Sequence, residues 1–327
     1  MTSVSKIKET LSLLLKPQAI MGLLISIAGI YWAFYDFAFG EFVDTIKSVK
    51  YEYVLLACVL IISSVWLRAI RWKYLFKTDD GVETYSLFRY ELIGYFGNNV
   101  LPLRLGELLR AYILGKEYSL SKPYVFGTIV LERILDTLAL ILLSIFLLFI
   151  YPLTSLIESY IYTGIILSAI LVIFLFILKR RKIVDTESGF LLIISNFFQG
   201  FKNLEYNKIP LLFLLSIFTW SIYWLDVHLI QYAFGFGMTP ADSLLLLVVS
   251  TLFMSIPSAP GMIGTFHFGV KYVMVDLFST SYAYTVSEAT SFAIILHAYG
   301  YISYTILGAI YFARSQFHKN AISEVLK

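Results

Sequence analysis

The sequence is poor in the residues that metal sites, disulfides and nucleotide sites require. Its 327 residues include one cysteine, Cys58, and four histidines, with no HExxH, CxxC or GxxxxGK[ST] spacing. One cysteine excludes an intrachain disulfide, and these residues do not supply the ligands of a structural zinc site. The missing phosphate-binding loop excludes an ATPase of the P-loop type. We therefore expect no cofactor.

Charged residues are also scarce. They make up 14% of the chain, against about 25% in ordinary globular proteins. The net charge of +3 is small and scattered, which argues against a nucleic-acid partner. Hydrophobic residues reach 59% and the mean hydropathy is +0.79. Several apolar windows have the ~20 residues that cross a bilayer. The composition predicts an all-α polytopic integral membrane protein.

Six apolar segments are long enough to be full membrane spans. They cover residues 18–39, 51–70, 124–150, 160–178, 209–234 and 288–312. Lys and Arg in short flanks favour the cytoplasmic side. Basic residues precede the first span and follow the second, fourth and sixth spans. This pattern predicts a multi-pass protein of the inner (cytoplasmic) cell membrane with both termini in the cytoplasm.

The same orientation rule requires two further insertions into the membrane. Span 124–150 must run outward although the chain is already inside at Lys77, so residues 85–116 must enter and leave from the cytoplasm. Residues 240–287 must likewise start and end outside. We predict that each is a re-entrant helical hairpin, and that the two enter from opposite faces. The helix-breaking residues are Pro102 and Gly106 in the first hairpin, and Pro257, Pro260, Gly261 and Gly264 in the second.

Two interrupted hairpins of opposite orientation are typical of transporters built from inverted repeats. We therefore interpret residues 1–327 as a single transmembrane domain, with a first half at 18–182 and a second half at 186–313. The hypothesis of an inverted repeat follows from this topology and not from an alignment of the two halves.

Charged residues cluster in the first hairpin. Arg104, Glu107 and Arg110 have a spacing that lets Glu107 reach either arginine if all three lie on one helix. That pairing leaves one guanidinium group in excess. An excess guanidinium suits the phosphate or carboxylate of a ligand. Asn98 and Asn99 lie just before the break and belong to the same predicted binding site.

The stretch "LERILD" adds a second charged group. It places Glu132 and Asp136 on one helix face with Arg133 beside them. Charges at membrane depth cost about 2.5–3.5 kcal/mol each on the insertion scale, so they are usually paired and often functional. One alternative is that these charges satisfy each other and only hold the hairpin in place. Another is that positions 104–110 lie shallow in the membrane and form a solvated interfacial loop.

Four segments together resemble a known family. They are "RAIRW" (68–72), "NNVLPLRLGELLR" (98–110), "LERILD" (131–136) and "PSAPGMIGTF" (257–266). The pattern N-x-L-P-x-R-x-G-E-x-x-R followed by E-R-x-x-D is quite specific. On these motifs the chain resembles the lysylphosphatidylglycerol synthase transmembrane region, also called the flippase-like domain family, over nearly its whole length.

The resemblance implies an inner-membrane protein that moves or handles anionic lipids. In bifunctional members this region translocates an aminoacylated lipid that a cytosolic synthase domain makes. No such domain is present in the 327 residues, so we do not expect this chain alone to transfer lysine. Relatives without the synthase domain are linked to polyprenyl-lipid and glycolipid pathways, which keeps those substrates open.

Two histidines bear on the resemblance. Many members carry a glutamate where this chain has His267, and His297 lies where the family often has a basic residue. An imidazole in place of a carboxylate would make the second hairpin less negative, or would allow proton coupling. The alternative for both residues is a hydrogen bond between helices. We assign Asp226 and His228 a structural role.

The sequence therefore predicts a flippase or transporter for a lipid with an anionic head group. The lipid would be a phospholipid, an aminoacyl-phospholipid or a polyprenyl-phosphate-linked lipid. Arg104 and Arg110 would bind its phosphate, while Arg68 and Arg71 would collect lipid at the cytoplasmic interface. The predicted network and gating residues are Glu132, Arg133, Asp136, Pro102, Gly106, Pro257, Pro260, Gly261, Gly264, His267 and His297.

Two alternatives to transport remain. The first is a membrane-embedded glycosyl or acyl transferase in which Glu132 and Asp136 serve as acid and base, although no nucleotide motif or nucleophile–base pair accompanies them. The second is a non-catalytic subunit of a lipid-modifying synthase. Such a synthase, a glycosyltransferase and a second copy of the chain are the protein partners that the sequence leaves open.

Overall fold

The computed structural model of the protein describes residues 17–35, 37–101, 104–151, 153, 155–180, 190–256 and 258–315. Within these ranges the chain is helical and contains no β-strand. The α-helices are α1 (Pro17–Phe34), α2 (Phe39–Ser48), α3 (Tyr51–Lys73), α4 (Thr84–Val100), α5 (Gly106–Glu117), α6 (Lys122–Ile150), α7 (Ser155–Arg180), α8 (Phe190–Lys202), α9 (Ile209–Phe234), α10 (Pro240–Ser255), α11 (Thr265–Lys271) and α12 (Val286–Arg314). The prediction of an all-α membrane protein is confirmed.

Four helical segments of the described chain are long and apolar enough to cross a membrane. They are Tyr51–Lys73, Lys122–Ile150, Tyr206–Phe234 and Val286–Arg314, and they contain four of the six predicted spans. The predicted span 160–178 lies within α7. These helices follow from apolar sequence of sufficient length, because a helix satisfies all its own backbone hydrogen bonds in lipid.

The predicted span 18–39 is too long at its C-terminal end. Helix α1 stops at Phe34, and the segments Leu23–Phe34 and Phe39–Ser48 meet at an angle of 82°. If this bent pair is one span, the described residues hold up to five spans. A total of six full spans stays a prediction. The predicted cytoplasmic termini also stay predictions, because residues 1–16 and 316–327 lie outside the described ranges.

Both predicted hairpins are interrupted where the proline and glycine residues indicated. Helix α4 ends at Val100 and α5 begins at Gly106, while α10 ends at Ser255 and α11 begins at Thr265. Pro102 and Pro257 themselves lie outside the described residues. The depth of each pair of helices in the membrane and the face from which it enters stay predictions.

The first interruption requires glycine because two helices touch there through their backbones. A Cβ atom at Gly97 would lie 2.6 Å from the Cα atom of Gly106, and a Cβ atom at Gly106 would overlap the Gly94 carbonyl oxygen. Asn98 reinforces the contact, since its side-chain oxygen accepts a hydrogen bond of 3.0 Å from the Gly106 amide. This amide is one of the unpaired donors at the start of α5.

The second interruption requires positive φ angles and close contact with α1. Gly261 and Gly264 have φ angles of 70° and 99°, which glycine adopts without steric cost. A Cβ atom at Gly29 of α1 would lie 2.7 Å from the carbonyl carbon of Gly264. The Ser26 hydroxyl accepts a hydrogen bond of 2.7 Å from the Ala259 amide. Helix α1 therefore packs directly on this break.

The described chain divides into two compact units that are not consecutive in sequence. One unit takes its residues from 1–63, 92–109 and 223–327, and the other from 64–91 and 110–222. In the first unit, α11 packs against α1, α10 and α12. In the second, α6 packs against α8, and a Cβ atom at Gly127 of α6 would overlap the Phe197 carbonyl oxygen of α8. The predicted halves at 18–182 and 186–313 stay a prediction.

Candidate functional site

A group of buried charged side chains lies in the second unit. We call it the buried ionic cluster; it consists of Arg68, Arg71, Glu91, Arg110, Glu132 and Asp136, and Arg133 lies at its edge. Helices α3, α4, α5 and α6 each contribute at least one of these residues. The six residues of the cluster are each at most 7% exposed. Charges so deeply buried are stable only when they pair with one another and satisfy their hydrogen-bonding groups.

Glu132 and Asp136 of α6 lie at the centre of the cluster because residues four apart share one face of a helix. Arg68 donates hydrogen bonds from its two terminal nitrogens, one to Glu132 and the other to Asp136 at 2.9 Å. Arg71 repeats this arrangement at 3.1 Å and 2.7 Å. Each carboxyl group therefore joins both arginines of α3, and the fork shape of the guanidinium group makes this bridging possible.

Arg110 joins the cluster from α5. Its Nη1 atom lies 2.7 Å from a carboxylate oxygen of Glu91 and 3.3 Å from one of Glu132. The Arg110 guanidinium also stacks on the ring of Trp72, with its central carbon 4.6 Å from the ring centroid. The Trp72 ring nitrogen in turn donates a hydrogen bond of 2.9 Å to the Thr128 hydroxyl. Buried cation–π contacts of this kind stabilise the cation by about 2 kcal/mol.

The interior position of Arg68 and Arg71 corrects one prediction. The sequence placed them at the cytoplasmic interface to collect lipid, but they are 2% and 0% exposed. The motif "RAIRW" gave no sign of this burial because their partners Glu132 and Asp136 are more than 60 residues away in the sequence. Their predicted part in binding substrate is untested, and an exposed position for them is wrong.

Glu91 is a member of the cluster that the sequence interpretation missed. It is 1% exposed and lies in α4, where it faces Arg110 and, at 3.8 Å, Arg68. A signal was present, because Glu91 is the one acidic residue among the 17 residues of this helix. An ionisable residue in an intramembrane segment is by itself a reason to expect a partner.

Arg133 differs from the other arginines because its side chain is 41% exposed. Its terminal nitrogens lie 3.4 Å from Asp136 and 3.8 Å from Glu132, two carboxyl groups that Arg68 and Arg71 already bridge. One turn further along α6, Thr137 is also exposed. Arg133 and Thr137 therefore form a polar, accessible strip beside the buried ionic cluster.

The remaining polar residues of the first hairpin belong to the first unit of the chain. Arg104 precedes α5 with a φ angle of 56°, so the helical spacing assumed between Arg104 and Glu107 does not apply. Its guanidinium donates to the Met254 carbonyl oxygen near the end of α10. Such a contact stabilises the carbonyl groups left unpaired at a helix C-terminus.

The two asparagines make contacts within the protein. Asn98 lies 3.4 Å from Glu107, in addition to its bond with the Gly106 amide. Asn99 donates 2.9 Å to the Thr305 hydroxyl on α12. These bonds connect α4 to α5 and to α12. Whether Asn98, Asn99, Arg104 and Glu107 also bind a substrate is untested.

The predicted residues of the second hairpin lie together in the first unit. Pro260 and Gly261 form a short turn of helix, and His267 and His297 are neighbours whose ring centroids are 5.1 Å apart. Phe266 stacks on His297 at 5.1 Å. The structure thus brings together the two histidines that the sequence singled out, although α11 and α12 carry them separately.

No group of three or more His, Cys, Asp or Glu side chains within the described ranges could hold a metal ion. Helices of membrane-crossing length, two interrupted helix pairs and a buried ionic cluster define an all-helical polytopic membrane protein.

Comparison with known proteins identifies the family. The family model of the lysylphosphatidylglycerol synthase TM region matches residues 19–308. The chain therefore belongs to this family, as the four motifs predicted, and nine-tenths of its length is covered. No solved structure matches the chain.

Three archaeal relatives support the assignment. UPF0104 membrane protein MJ1078 of Methanocaldococcus jannaschii is 30% identical over 222 residues, which are 66% of this chain and 93% of the relative. A UPF0104 membrane protein of Methanothermobacter thermautotrophicus is 25% identical over 321 residues, with 88% and 91% covered. UPF0104 membrane protein MJ1595 of M. jannaschii is 39% identical over 99 residues, or 29% of each chain.

Proposed function

We propose that the protein moves a lipid with an anionic head group across the membrane in which it lies. The lipid would be a phospholipid, an aminoacyl-phospholipid or a polyprenyl-phosphate-linked lipid, and the protein would act as a transporter rather than an enzyme. The observation that carries this proposal is the partly exposed side chain of Arg133 on an apolar helix.

The position of Arg133 along α6 makes its exposure informative. With a rise of 1.5 Å per residue, Arg133 lies about 17 Å from the start of the helix at Lys122. A charge at such a depth in hydrocarbon costs about 2.5–3.5 kcal/mol on the insertion scale and more in simulations. An exposed side chain there needs a polar environment, which a water-filled path or a lipid head group would supply.

The charge count of the cluster favours an anion as the ligand. The four guanidinium groups of Arg68, Arg71, Arg110 and Arg133 face the three carboxyl groups of Glu91, Glu132 and Asp136. With all seven groups ionised, one positive charge is left over. Arg133 is the accessible member of the four, so the excess charge can be reached from outside the cluster. Phosphate oxygens match the fork of an arginine in both charge and geometry.

The two helix interruptions are consistent with a transport path. Irregular backbone at membrane depth is tolerated where it is buried in protein or lines a water-filled cavity. Broken helices near the middle of the membrane are also a recurring feature of transporter sites. Both interruptions are built on glycines that a larger residue would disrupt, at Gly106 and at Gly264.

The contacts of Glu132 and Asp136 favour transport over group transfer. Each carboxyl group accepts hydrogen bonds from Arg68 and from Arg71, and both are buried. A general acid or base must come within hydrogen-bond distance of its substrate. The carboxyl groups of Glu132 and Asp136 already use these hydrogen-bonding positions for the two arginines. A lipid-modifying synthase or glycosyltransferase elsewhere is the kind of partner that would supply the lipid.

The test is lipid movement in proteoliposomes. Purified protein would be reconstituted with labelled phosphatidylglycerol or labelled phosphatidylcholine, and the fraction of label accessible from outside would be followed in time. We expect wild type to move the anionic lipid faster than the zwitterionic one. Arg133→Gln should slow the anionic lipid by about ten- to a hundredfold, because a hydrogen bond to a charged group contributes about 1.5–3 kcal/mol.

Arg89→Gln is the matched control. Arg89 lies in the same unit, its side chain is 31% exposed, and it pairs at 3.2 Å with Glu117, which is not a member of the buried ionic cluster. It should leave transport unchanged. If folded Arg133→Gln moves anionic lipid as fast as wild type, the head group does not bind at Arg133. If folded wild type moves no lipid, transport is wrong and the partner-subunit alternative becomes the better explanation.

A further inference from the structure

Asp226 is a buried carboxyl group that the proposed lipid site does not use. It lies in α9, about 12 Å from the end of that helix at Phe234, and is 0% exposed. Its side-chain oxygens make no hydrogen bond of good geometry within the described part of the chain, and the Tyr299 hydroxyl is the polar group that approaches them. The sequence interpretation gave Asp226 a structural role, but a structural carboxyl group normally shows the bonds that it makes.

Among the described residues, no positively charged group is found beside the Asp226 carboxyl group. The Tyr299 hydroxyl of α12 is the polar group that approaches the carboxyl group. Tyr223 of α9 and Cys58 of α3 are the other polar groups near Tyr299. His228, two residues further along α9, has its Nδ1 atom 2.8 Å from the Ser243 hydroxyl. Glu132 and Asp136 in the other unit pair with arginines. None of these neighbours of Asp226 is an arginine or a lysine.

A buried carboxylate without a cation is unfavourable, and a carboxyl group in this position takes up a proton to become neutral. A metal cation is a poor fit, since Na⁺-, Mg²⁺- or Ca²⁺-like sites collect several oxygen ligands around the ion. Asp226 brings one carboxyl group, and the described residues contain no cluster of metal-ligating side chains. The ligand that fits a single buried carboxyl group beside a phenol is a proton.

We propose that Asp226, together with Tyr299, is an intramembrane proton-binding site that couples the protein to a proton gradient. The coupling rests on the proposed lipid transport, whereas the proton site does not. Binding adds one proton to the carboxylate, which becomes a neutral carboxylic acid. Release returns the proton to water in a conformation that opens α9 and α12 to solvent. Ionisable residues buried in membrane helices commonly act in proton relays of this kind.

The first experiment detects the bound proton directly and needs no lipid movement. Infrared difference spectra of reconstituted protein would be recorded while the pH is raised from neutral. Wild type should show the carbonyl stretching band of a protonated carboxylic acid, which disappears on ionisation. Asp226→Asn should lack this band, and Tyr299→Phe should shift it. Asp276→Asn, which removes an exposed carboxyl group from the same unit, should keep it.

A band that persists unchanged in folded Asp226→Asn would overturn the assignment of the proton to this residue. Asparagine has nearly the same shape as aspartic acid, so a folded variant is expected. Tyr299→Phe provides a second arm if Asp226→Asn does not fold, since a band indifferent to loss of the phenol would equally exclude the site.

The second experiment tests coupling. Lipid movement would be measured in the same proteoliposomes with and without an imposed pH difference. Wild type should respond to the gradient, and Asp226→Asn should keep lipid movement but lose the response. An unchanged response in Asp226→Asn would refute coupling through Asp226. If wild type moves no lipid but shows the infrared band, the proposed transport fails while the proton site stands.

Discussion

The contacts of Glu132 lead to a quantitative prediction about stability. Its two carboxylate oxygens lie within 4.0 Å of guanidinium nitrogens from Arg68, Arg71, Arg110 and Arg133. Glu132→Gln keeps the size of the side chain but removes its negative charge. The cluster would then hold four positive and two negative groups, and the arginines of α3 would face an amide in place of a carboxylate.

The magnitude follows from the burial of these groups. Removal of one member of a buried ion pair typically destabilises a protein by 3–5 kcal/mol, because the remaining charge stays desolvated and unpaired. This corresponds to roughly a hundred- to several-thousand-fold change in the unfolding equilibrium. Glu117→Gln is the matched control, because Glu117 is 27% exposed and pairs with the half-exposed Arg89. Exposed pairs contribute about 0–1 kcal/mol.

The assay is reversible unfolding in mixed micelles. Helix content would be followed by circular dichroism as the fraction of denaturing detergent increases, for wild type and both variants. We expect Glu132→Gln to lower the free energy of unfolding by several times as much as Glu117→Gln. Equal and small losses in the two variants would show that solvent reaches the cluster, and the interpretation of Arg68 and Arg71 as buried partners would be wrong.

Two further predictions concern helix packing and a loop. Gly127→Ala should destabilise the protein by about 1–3 kcal/mol, because the added methyl group overlaps the Phe197 carbonyl oxygen; Gly164→Ala, with no atom within 4 Å, should have no such cost in the same melting experiment. Burial and the hydrogen bond of 2.7 Å to Asp242 raise the pKa of Tyr282 above 10.0, so the stabilisation is present below that pH and is lost as pH rises through the folded-state pKa. Tyr282→Phe should therefore weaken the alkaline loss of stability above about pH 10.

Clear outcomes would contradict both predictions. If Gly127→Ala and Gly164→Ala melt alike, α6 and α8 do not pack through their backbones. If wild type and Tyr282→Phe lose stability in parallel at alkaline pH, the phenol does not hold Asp242 in the folded state.

The sequence predicted the helices well where one physical rule determined them. Long apolar segments form helices in lipid because each helix satisfies its own hydrogen bonds, and this located 51–70, 124–150, 209–234 and 288–312. The rule failed at the end of α1, where the chain bends after Phe34 although apolar Phe37, Ala38 and Phe39 follow within five residues. Hydropathy indicates the length of an apolar segment but not the direction of the helix axis, so it could not indicate the bend.

Charge pairing was harder to predict because partners are distant in sequence. The i, i+4 spacing placed Glu132 and Asp136 on one face, which the structure confirms, but it could not show that Arg68 and Arg71 face them from α3. The sequence interpretation placed Arg104 on the same helix as Glu107, but that helix begins at Gly106, after Arg104. Helical spacing does not predict contacts between residues that a helix break separates.

The contact of α1 with the second interruption has a consequence for biosynthesis. Ser26 and Ala259, which form a hydrogen bond across this contact, are separated by 233 residues. At a translation rate of about 5–20 residues per second, roughly 12–47 s pass between the synthesis of the two. During that interval the backbone of Gly264 and Thr265, against which Gly29 of α1 packs closely, has not yet been synthesised. A nascent chain released before residue 264 would leave the Gly29 face of α1 open to lipid or to other helices, and quality-control proteases that recognise unassembled helices should act on it there.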